Sequence, residues 1–105
     1  MMGWKPVASW SGNGNYQTDS FEIRTGEWRI KWKTTDQPSA KEKVFRIITH
    51  SLVSGRFVNV AVDNPGPGSG VSYEAEDPRP FFLAVESSGL DWNIDVEEGT
   101  PGDQQ

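Results

Sequence analysis

His50 is the only histidine in this chain of 105 residues and the first residue to weigh as a catalytic group. A catalytic triad needs a nucleophile, an imidazole and a carboxylate that converge in space. Because the chain has no cysteine, the nucleophile would be a hydroxyl such as that of Ser51 or Ser54. Ser51 follows His50 directly, and successive side chains of a strand point to opposite faces. We therefore interpret His50 as a surface residue and expect no enzyme activity.

Acidic residues in the second half of the chain could instead supply oxygen ligands to calcium. Glu74 and Glu76 alternate along one predicted strand face, and Asp77, Asp63 and Asn64 are close in sequence. Calcium needs about six to eight oxygen ligands, often from one flexible loop. The chain has no Asp-x-Asp-x-Asp-Gly loop, so a solvated strand edge is the stronger interpretation. We predict no cofactor and no metal, and weak calcium binding at Glu74, Glu76 and Asp77 stays an alternative.

Five tryptophans in a chain of this length are the most unusual feature of its composition. Trp28, Trp32 and Trp92 alternate in phase with isoleucine and valine, which predicts that they belong to the core. The remaining tryptophans and the two tyrosines lie near predicted loops or edges. An exposed platform of aromatic rings could stack on sugar rings, as in a carbohydrate-binding module. The candidate ligand-binding residues for such a platform are Trp4, Trp10, Tyr16 and Tyr73.

The charge distribution limits the classes of partner. The net charge is −5; residues 1–52 hold eight Lys/Arg against five Asp/Glu, and residues 53–105 hold two against ten. An acidic protein is a poor match for nucleic acid, whose phosphates require lysine and arginine. No apolar stretch approaches the roughly 20 residues of a membrane helix. We expect a soluble protein without a membrane partner. The lack of cysteine and of a visible leader favours the cytoplasm.

The elements that would position these residues are β-strands. In residues 27–33, Trp28, Ile30 and Trp32 alternate with charged residues, which is typical of an antiparallel strand with one buried face. Comparable patterns predict strands at 18–24, 43–51, 57–62, 81–86 and 91–97, a short strand at 71–75, and an edge strand with Pro6 at 4–10. About eight short strands separated by turn residues, with no helix, predict an all-β antiparallel sandwich or small barrel.

The predicted connections complete this outline. Thr25 and Gly26 form a tight turn, so residues 18–24 and 27–33 are expected to pair as a hairpin. Residues 34–42 and the segment 63–70, which is rich in glycine and proline, are predicted loops. We assign residues 1–98 to a single β-sandwich domain and residues 99–105 to a flexible C-terminal tail.

Five motifs occur in a fixed order along the chain. They are Trp-Ser-Gly-Asn-Gly at 10–14, Thr-Asp-Ser-Phe-Glu-Ile at 18–23, Gly-Glu-Trp-Arg-Ile-Lys-Trp at 26–32, Phe-Phe-Leu-Ala-Val at 81–85 and Trp-Asn-Ile-Asp-Val-Glu-Glu at 92–98. In order and spacing they resemble small prokaryotic β-sandwich domains of uncharacterised function. The layout is similar, more weakly, to the jelly-roll-like domains that follow secreted peptidases. The resemblance implies an eight-stranded, jelly-roll-like sandwich of bacterial type, and it implies no activity and no site residues.

The sequence therefore predicts a jelly-roll-like antiparallel β-sandwich that acts as a non-catalytic interaction or accessory module. Its partner would be another protein or a glycan. The first alternative is a carbohydrate-binding module that uses exposed aromatic residues. The second is a small hydrolase, which would require His50 to lie beside a carboxylate in a concave site.

Overall fold

A computed structural model of the protein describes residues 3–53, 56–75 and 78–100. These residues form nine β-strands and no helix. The strands are β1 (Gly3–Gly12), β2 (Tyr16–Gln17), β3 (Phe21–Ile23), β4 (Glu27–Asp36), β5 (Val44–Ser51), β6 (Phe57–Asp63), β7 (Gly68–Ala75), β8 (Arg79–Ser88) and β9 (Leu90–Thr100). The described part of the chain contains no apolar helix of membrane-spanning length.

The strands form two antiparallel sheets that pack face to face. Sheet A has the order β1-β9-β4-β7, and sheet B has the order β2-β8-β5-β6, with β3 also pairing with β8. The pairs are nested along the chain, because β1 pairs with β9, β2 and β3 with β8, β4 with β7, and β5 with β6. A long hairpin rolled over two sheets gives this order, which is that of a jelly roll. The predicted fold class is confirmed.

The predicted hairpin between residues 18–24 and 27–33 is wrong. Strand β3 pairs with β8 in sheet B, whereas β4 pairs with β7 and β9 in sheet A. The turn at Thr25 and Gly26 therefore carries the chain from one sheet to the other. Phe21 and Trp28, on either side of this turn, face each other across the core with ring centroids 5.5 Å apart. This arrangement buries both rings between the two sheets, which removes their apolar surface from water.

Two of the three tryptophans that the sequence predicts to lie in the core are fully buried. Trp28 and Trp92 are 0% and 1% exposed, whereas Trp32 is only partly buried at the margin of the core. The Trp32 ring lies against Phe45 at a centroid distance of 5.6 Å and passes beside Gly70 of β7. A Cβ atom at Gly70 would lie 2.9 Å from Cζ2 of Trp32. The glycine thus makes room for the Trp32 ring next to β7, the edge strand of sheet A.

Six strands are longer than the sequence predicts, and three of them, β4, β7 and β9, extend into predicted loops or the predicted tail. Strand β4 extends to Asp36, and β7 begins at Gly68, inside the predicted loop 63–70. The Gly68 amide donates a hydrogen bond to the Thr34 hydroxyl at 2.9 Å, which fixes the start of β7 on β4. Strand β9 includes Gly99 and Thr100, which pair with Trp4 and Gly3, so the predicted tail begins too early. Residues 101–105 lie outside the described residues.

Strand β1 is an edge strand, as its proline predicts. It pairs only with β9, and the register shifts between Pro6 and Ala8. Proline has no amide hydrogen to donate and is tolerated where one side of a strand has no neighbour. The central position of β5, between β8 and β6, also agrees with the prediction from its two partly apolar faces.

Candidate functional site

The four candidate aromatic residues do not form one platform. Trp4 and Tyr73 meet on the outer face of sheet A, with ring centroids 5.9 Å apart. Trp10 instead turns inward and packs against Phe21 at 5.7 Å. Tyr16, on the edge of sheet B, lies 6.0 Å from the Trp92 ring. Only Trp4 and Tyr73 are therefore placed to act together.

Arg29 joins the two rings from the neighbouring strand β4. Its guanidinium carbon lies 4.2 Å from the centroid of the Trp4 ring, within the range of a cation–π interaction. Its Nε and Nη2 atoms both donate to Oε1 of Glu97, at 2.7 and 2.6 Å. Partial burial would lower the pKa of Arg29, but its hydrogen bonds with Glu97 and Tyr73 outweigh this effect and raise it. Arg29 is therefore a fixed cation that orients Trp4.

A shallow groove of about 710 Å³ lies on the outer face of sheet A and begins at the row next to that of Arg29 and Tyr73. Two consecutive cross-strand rows line it: Ser9, Asp95, Lys31 and Val71, then Ser11, Asn93, Lys33 and Ser69. The Ser9 hydroxyl donates to Oδ1 of Asp95 at 2.6 Å. Lys31 and Lys33 are exposed and make no ion pair with any residue that the structure describes. The groove therefore offers both donors and acceptors of hydrogen bonds, with two available cations.

A separate, smaller cleft of about 380 Å³ lies on the other side of the row of Arg29 and Tyr73, and it shares no lining residue with the groove. Trp4 and Tyr73 form one part of its wall, and Glu27 and Ala75 form another. Glu27 and Ala75 are cross-strand neighbours, and the small side chain of Ala75 leaves space beside the tyrosine. This end of the face therefore combines ring surfaces with a carboxylate, whereas the opposite end carries the lysines.

The outer face of sheet B has a different character, because two of its cross-strand rows are aromatic or apolar. One row is Phe57, His50 and Phe82, and the next is Val60, Ile48 and Ala84. The His50 ring stacks on Phe82 at 4.9 Å with an interplanar angle of 6°, and meets Phe57 edge-on at 6.3 Å. Phe57 is 55% exposed and Val60 47% exposed. We name these six residues the apolar patch of sheet B.

A charged row borders the apolar patch of sheet B. Arg46 of β5 lies between Asp63 of β6 and Glu86 of β8. Its Nη2 atom is 3.6 Å from Oδ2 of Asp63, and its Nη1 atom donates to Oε1 of Glu86 at 3.0 Å. The outer face of sheet B thus passes from an apolar half to an ion-paired half.

The catalytic candidates are separated by the strand that carries them. His50 points out of sheet B toward Phe82, whereas Ser51 points into the core and is 1% exposed. Strand alternation predicts that these two side chains point to opposite faces, as they do. Ser54 lies outside the described residues.

The calcium candidates are only partly within the described residues. Glu74 is 6% exposed and accepts hydrogen bonds from Nδ2 of Asn59 at 2.9 Å and from the Ser72 hydroxyl at 3.4 Å. The interpretation of Glu74 as part of a solvated edge is therefore wrong, because its side chain turns inward. Asp63 lies beside Arg46 instead. The described residues contain no group of three or more His, Asp or Glu side chains arranged to hold a metal ion, and Glu76 and Asp77 lie outside them.

Sequence alternation identifies the polar side of β4 and β9, but it does not indicate which polar residues share a groove. Lys31, Lys33 and Asn93 were not among the predicted candidates for this reason. Phe82 and Phe57 were likewise overlooked, because each stands next to a core residue of its strand. That the two rings share one row with His50 follows only from the cross-strand register.

No family model matches this chain, and no curated protein matches it either. The resemblance to small prokaryotic β-sandwich domains therefore stays a prediction. The jelly-roll fold depends on the strand pairing alone.

Proposed function

We propose that the protein is a non-catalytic interaction module that binds protein through the apolar patch of sheet B. The observation that supports this most strongly is the pair of adjacent apolar rows on a sheet face that has no covering layer among the described residues. Contiguous exposed apolar surface on a folded domain often marks an interaction site.

The outer face of sheet A differs in composition from the outer face of sheet B. An antiparallel sheet with one solvated face usually carries polar residues on that face. The outer face of sheet A follows this rule over most of its area, with serine, lysine, asparagine and aspartate in adjacent rows. Sheet B departs from the rule at five neighbouring positions around His50, so the departure is local.

The pattern within sheet B also fits a protein interface. Such interfaces have a dehydrated centre that is rich in aromatic residues and a polar rim. Phe57, Phe82 and the stacked His50 would form the centre. The row of Arg46, Asp63 and Glu86 would form one side of the rim. These pairs already satisfy one another, so the rim requires no charged partner.

The occupant that we propose is a second copy of the chain. Two twisted sheets pack well face to face, and a twofold axis makes one patch complementary to itself. If the axis passes between Ile48 and His50, the two rows that contain Arg46 fall on opposite sides of the interface. The carboxylates of Asp63 and Glu86 then do not face their symmetry-related copies. The area is small: with strands about 4.8 Å apart and a rise of about 3.4 Å per residue, three strands and two rows give about 200 Å² of face per copy. This predicts a weak dimer.

Analytical ultracentrifugation over a concentration series up to about 1 mM would test this. We expect concentration-dependent dimerisation of the native chain that is lost in Phe57→Ser. Because Phe57 is already 55% exposed, this change should leave the fold intact. Val71→Ser is the matched control, since Val71 is 44% exposed but lies on sheet A, and it should dimerise normally. A native chain that stays monomeric throughout, or a Phe57→Ser variant that dimerises normally, would overturn the proposal.

Two further observations support a non-catalytic role and a cytoplasmic location, which we include in the proposal. His50 and Ser51 lie on opposite faces of β5, which separates the imidazole from the nearest hydroxyl in sequence. The chain has no cysteine, which is consistent with a reducing compartment such as the cytoplasm.

A further inference from the structure

We infer that the outer face of sheet A is a second binding site and that its ligand is an acidic oligosaccharide. This site is independent of the protein-binding role of sheet B, because the two outer faces lie on opposite sides of the sandwich. The site consists of Tyr73 and Trp4 at one end and of Lys31, Lys33 and Asn93 at the other. The inference rests on ring exposure, on the chemistry of the groove and on its charge.

Tyr73 offers the ring surface on which a sugar would stack. It is 65% exposed, although Trp4 holds it from the side and Arg29 is its cross-strand neighbour. Trp4 has Arg29 over its ring and therefore supports the tyrosine more than it contacts a ligand. A flat ring that is fixed before binding loses little conformational freedom when a ligand stacks on it.

The groove provides the polar contacts that sugar hydroxyls require. Ser11 and Asn93 face each other across β1 and β9, and Ser9 and Asp95 form the adjacent row. Hydroxyl and amide groups both donate and accept hydrogen bonds, which matches the hydroxyl groups of a sugar. The outer face spans about 13 Å along β4 from the row of Tyr73 to the row of Lys33, and the groove occupies its last two outward rows, so more than one sugar ring fits on the face.

A peptide is the less suitable occupant of this groove. Peptides that bind sheets usually add a strand at a free edge and use its backbone hydrogen bonds. The groove lies on the face of sheet A over β9 and β4, each of which has a paired strand on both sides. Ligand contacts there must therefore be made by side chains, whose polar groups suit a polyhydroxylated ligand.

The acidic character of the ligand follows from the charges that remain available. Glu97 is neutralised by its ion pair with Arg29, whereas Asp95 keeps its charge although it accepts a hydrogen bond from Ser9 at 2.6 Å, so the groove lining carries two lysines against one carboxylate. Lys31 and Lys33 make no ion pair with a residue that the structure describes. A protein of net charge −5 thus presents two lysines in one concave surface. A carboxylate or sulfate group would lie at the lysine end, with a neutral ring on Tyr73.

The test is isothermal titration calorimetry of the full chain with three acidic probes: oligogalacturonate, oligomannuronate and a heparin-derived oligosaccharide. We expect at least one probe to bind. The methyl ester of a bound uronate, which keeps the rings and removes the charge, should bind about fivefold more weakly, and so should Lys31→Gln/Lys33→Gln. Tyr73→Ala should weaken binding about tenfold, whereas Tyr73→Phe should retain the stacking. Val60→Ser on sheet B is the control and should bind normally.

Three results would overturn the inference. The first is the absence of binding by all three probes at millimolar concentration. The second is binding that Tyr73→Ala does not weaken. The third is equal binding of a polyglutamate peptide, which would make the face a nonspecific cationic surface. These results do not depend on dimerisation through sheet B. Val60→Ser changes only the apolar patch of sheet B, so it shows whether that patch affects ligand binding on sheet A.

Discussion

At the residue scale, the two fully buried tryptophans have different polar surroundings. Nε1 of Trp92 donates to the Gly14 carbonyl at 3.0 Å, which ties the loop after β1 to the core. Nε1 of Trp28 is buried and has no hydrogen-bond partner among the described residues. Trp28 contributes instead through its contacts with Phe21 and Phe81, whose ring centroids lie 5.5 and 5.0 Å away. An unpaired buried N–H group lowers the benefit of this packing without reversing it.

Replacing either buried tryptophan should destabilise the fold strongly. We expect Trp28→Ala and Trp92→Ala each to lower the free energy of unfolding by about 3–5 kcal/mol, because each leaves a large cavity between the sheets. Chemical denaturation followed by circular dichroism measures this. Trp4→Ala is the control, since Trp4 lies on the outer face of sheet A, and it should cost much less. A Trp28→Ala variant as stable as the native protein would contradict the assignment of that ring to the core.

Residue patterns in the sequence predict burial better than they predict sites. Trp28 and Trp92 are in phase with other apolar residues, so the pattern alone identifies them as core residues. The same pattern leaves Trp4, Trp10, Tyr16 and Tyr73 as one undivided group, because a loop-proximal aromatic residue carries no signal of the face it joins. Only the register of β1, β9, β4 and β7 separates Trp4 and Tyr73 from the rest.

At the element scale, the strands were predictable and most of their partners were not. Alternation depends on nearest neighbours in sequence, so it identifies β4, β5, β8 and β9 with their inward faces. Pairing depends on which face is buried against which, and the sequential hairpin of residues 18–24 and 27–33 gives way to a crossing between sheets. The glycines of β7 misled the prediction as well. Gly68 and Gly70 are characteristic of loops, yet both lie in a regular strand here, and Gly70 accommodates the Trp32 ring.

The turn between β8 and β9 depends on one glycine. Gly89 has a φ of +74°, and a Cβ atom there would overlap the backbone oxygen of Glu42. We expect Gly89→Ala to lower the free energy of unfolding by about 2 kcal/mol or more, since strain and steric conflict add. Thermal and chemical denaturation measure the loss. Gly66→Ala is the control, because no atom lies within 4 Å of its Cβ position. Equal stability of the two variants would contradict the described turn.

At the scale of the whole molecule, the jelly roll presents two outer faces with different chemistry. The face of sheet B is apolar beside an ion-paired row, and the face of sheet A is a polar groove with an aromatic end. Both faces are displayed on extended strands that a shared core holds rigid. An antiparallel sheet allows one surface to be formed by side chains from several strands.

The separation of the two faces makes a single experiment decisive. In a dilution series followed by ¹H–¹⁵N NMR, amide shifts that depend on concentration should be confined to β5, β6 and β8, with Ile48, His50 and Phe57 near the centre. The groove residues Lys31 and Asn93 on sheet A should not shift. This result would place the self-association surface on the apolar patch of sheet B, as we propose. Shifts centred on sheet A, or no shifts up to about 1 mM, would contradict it.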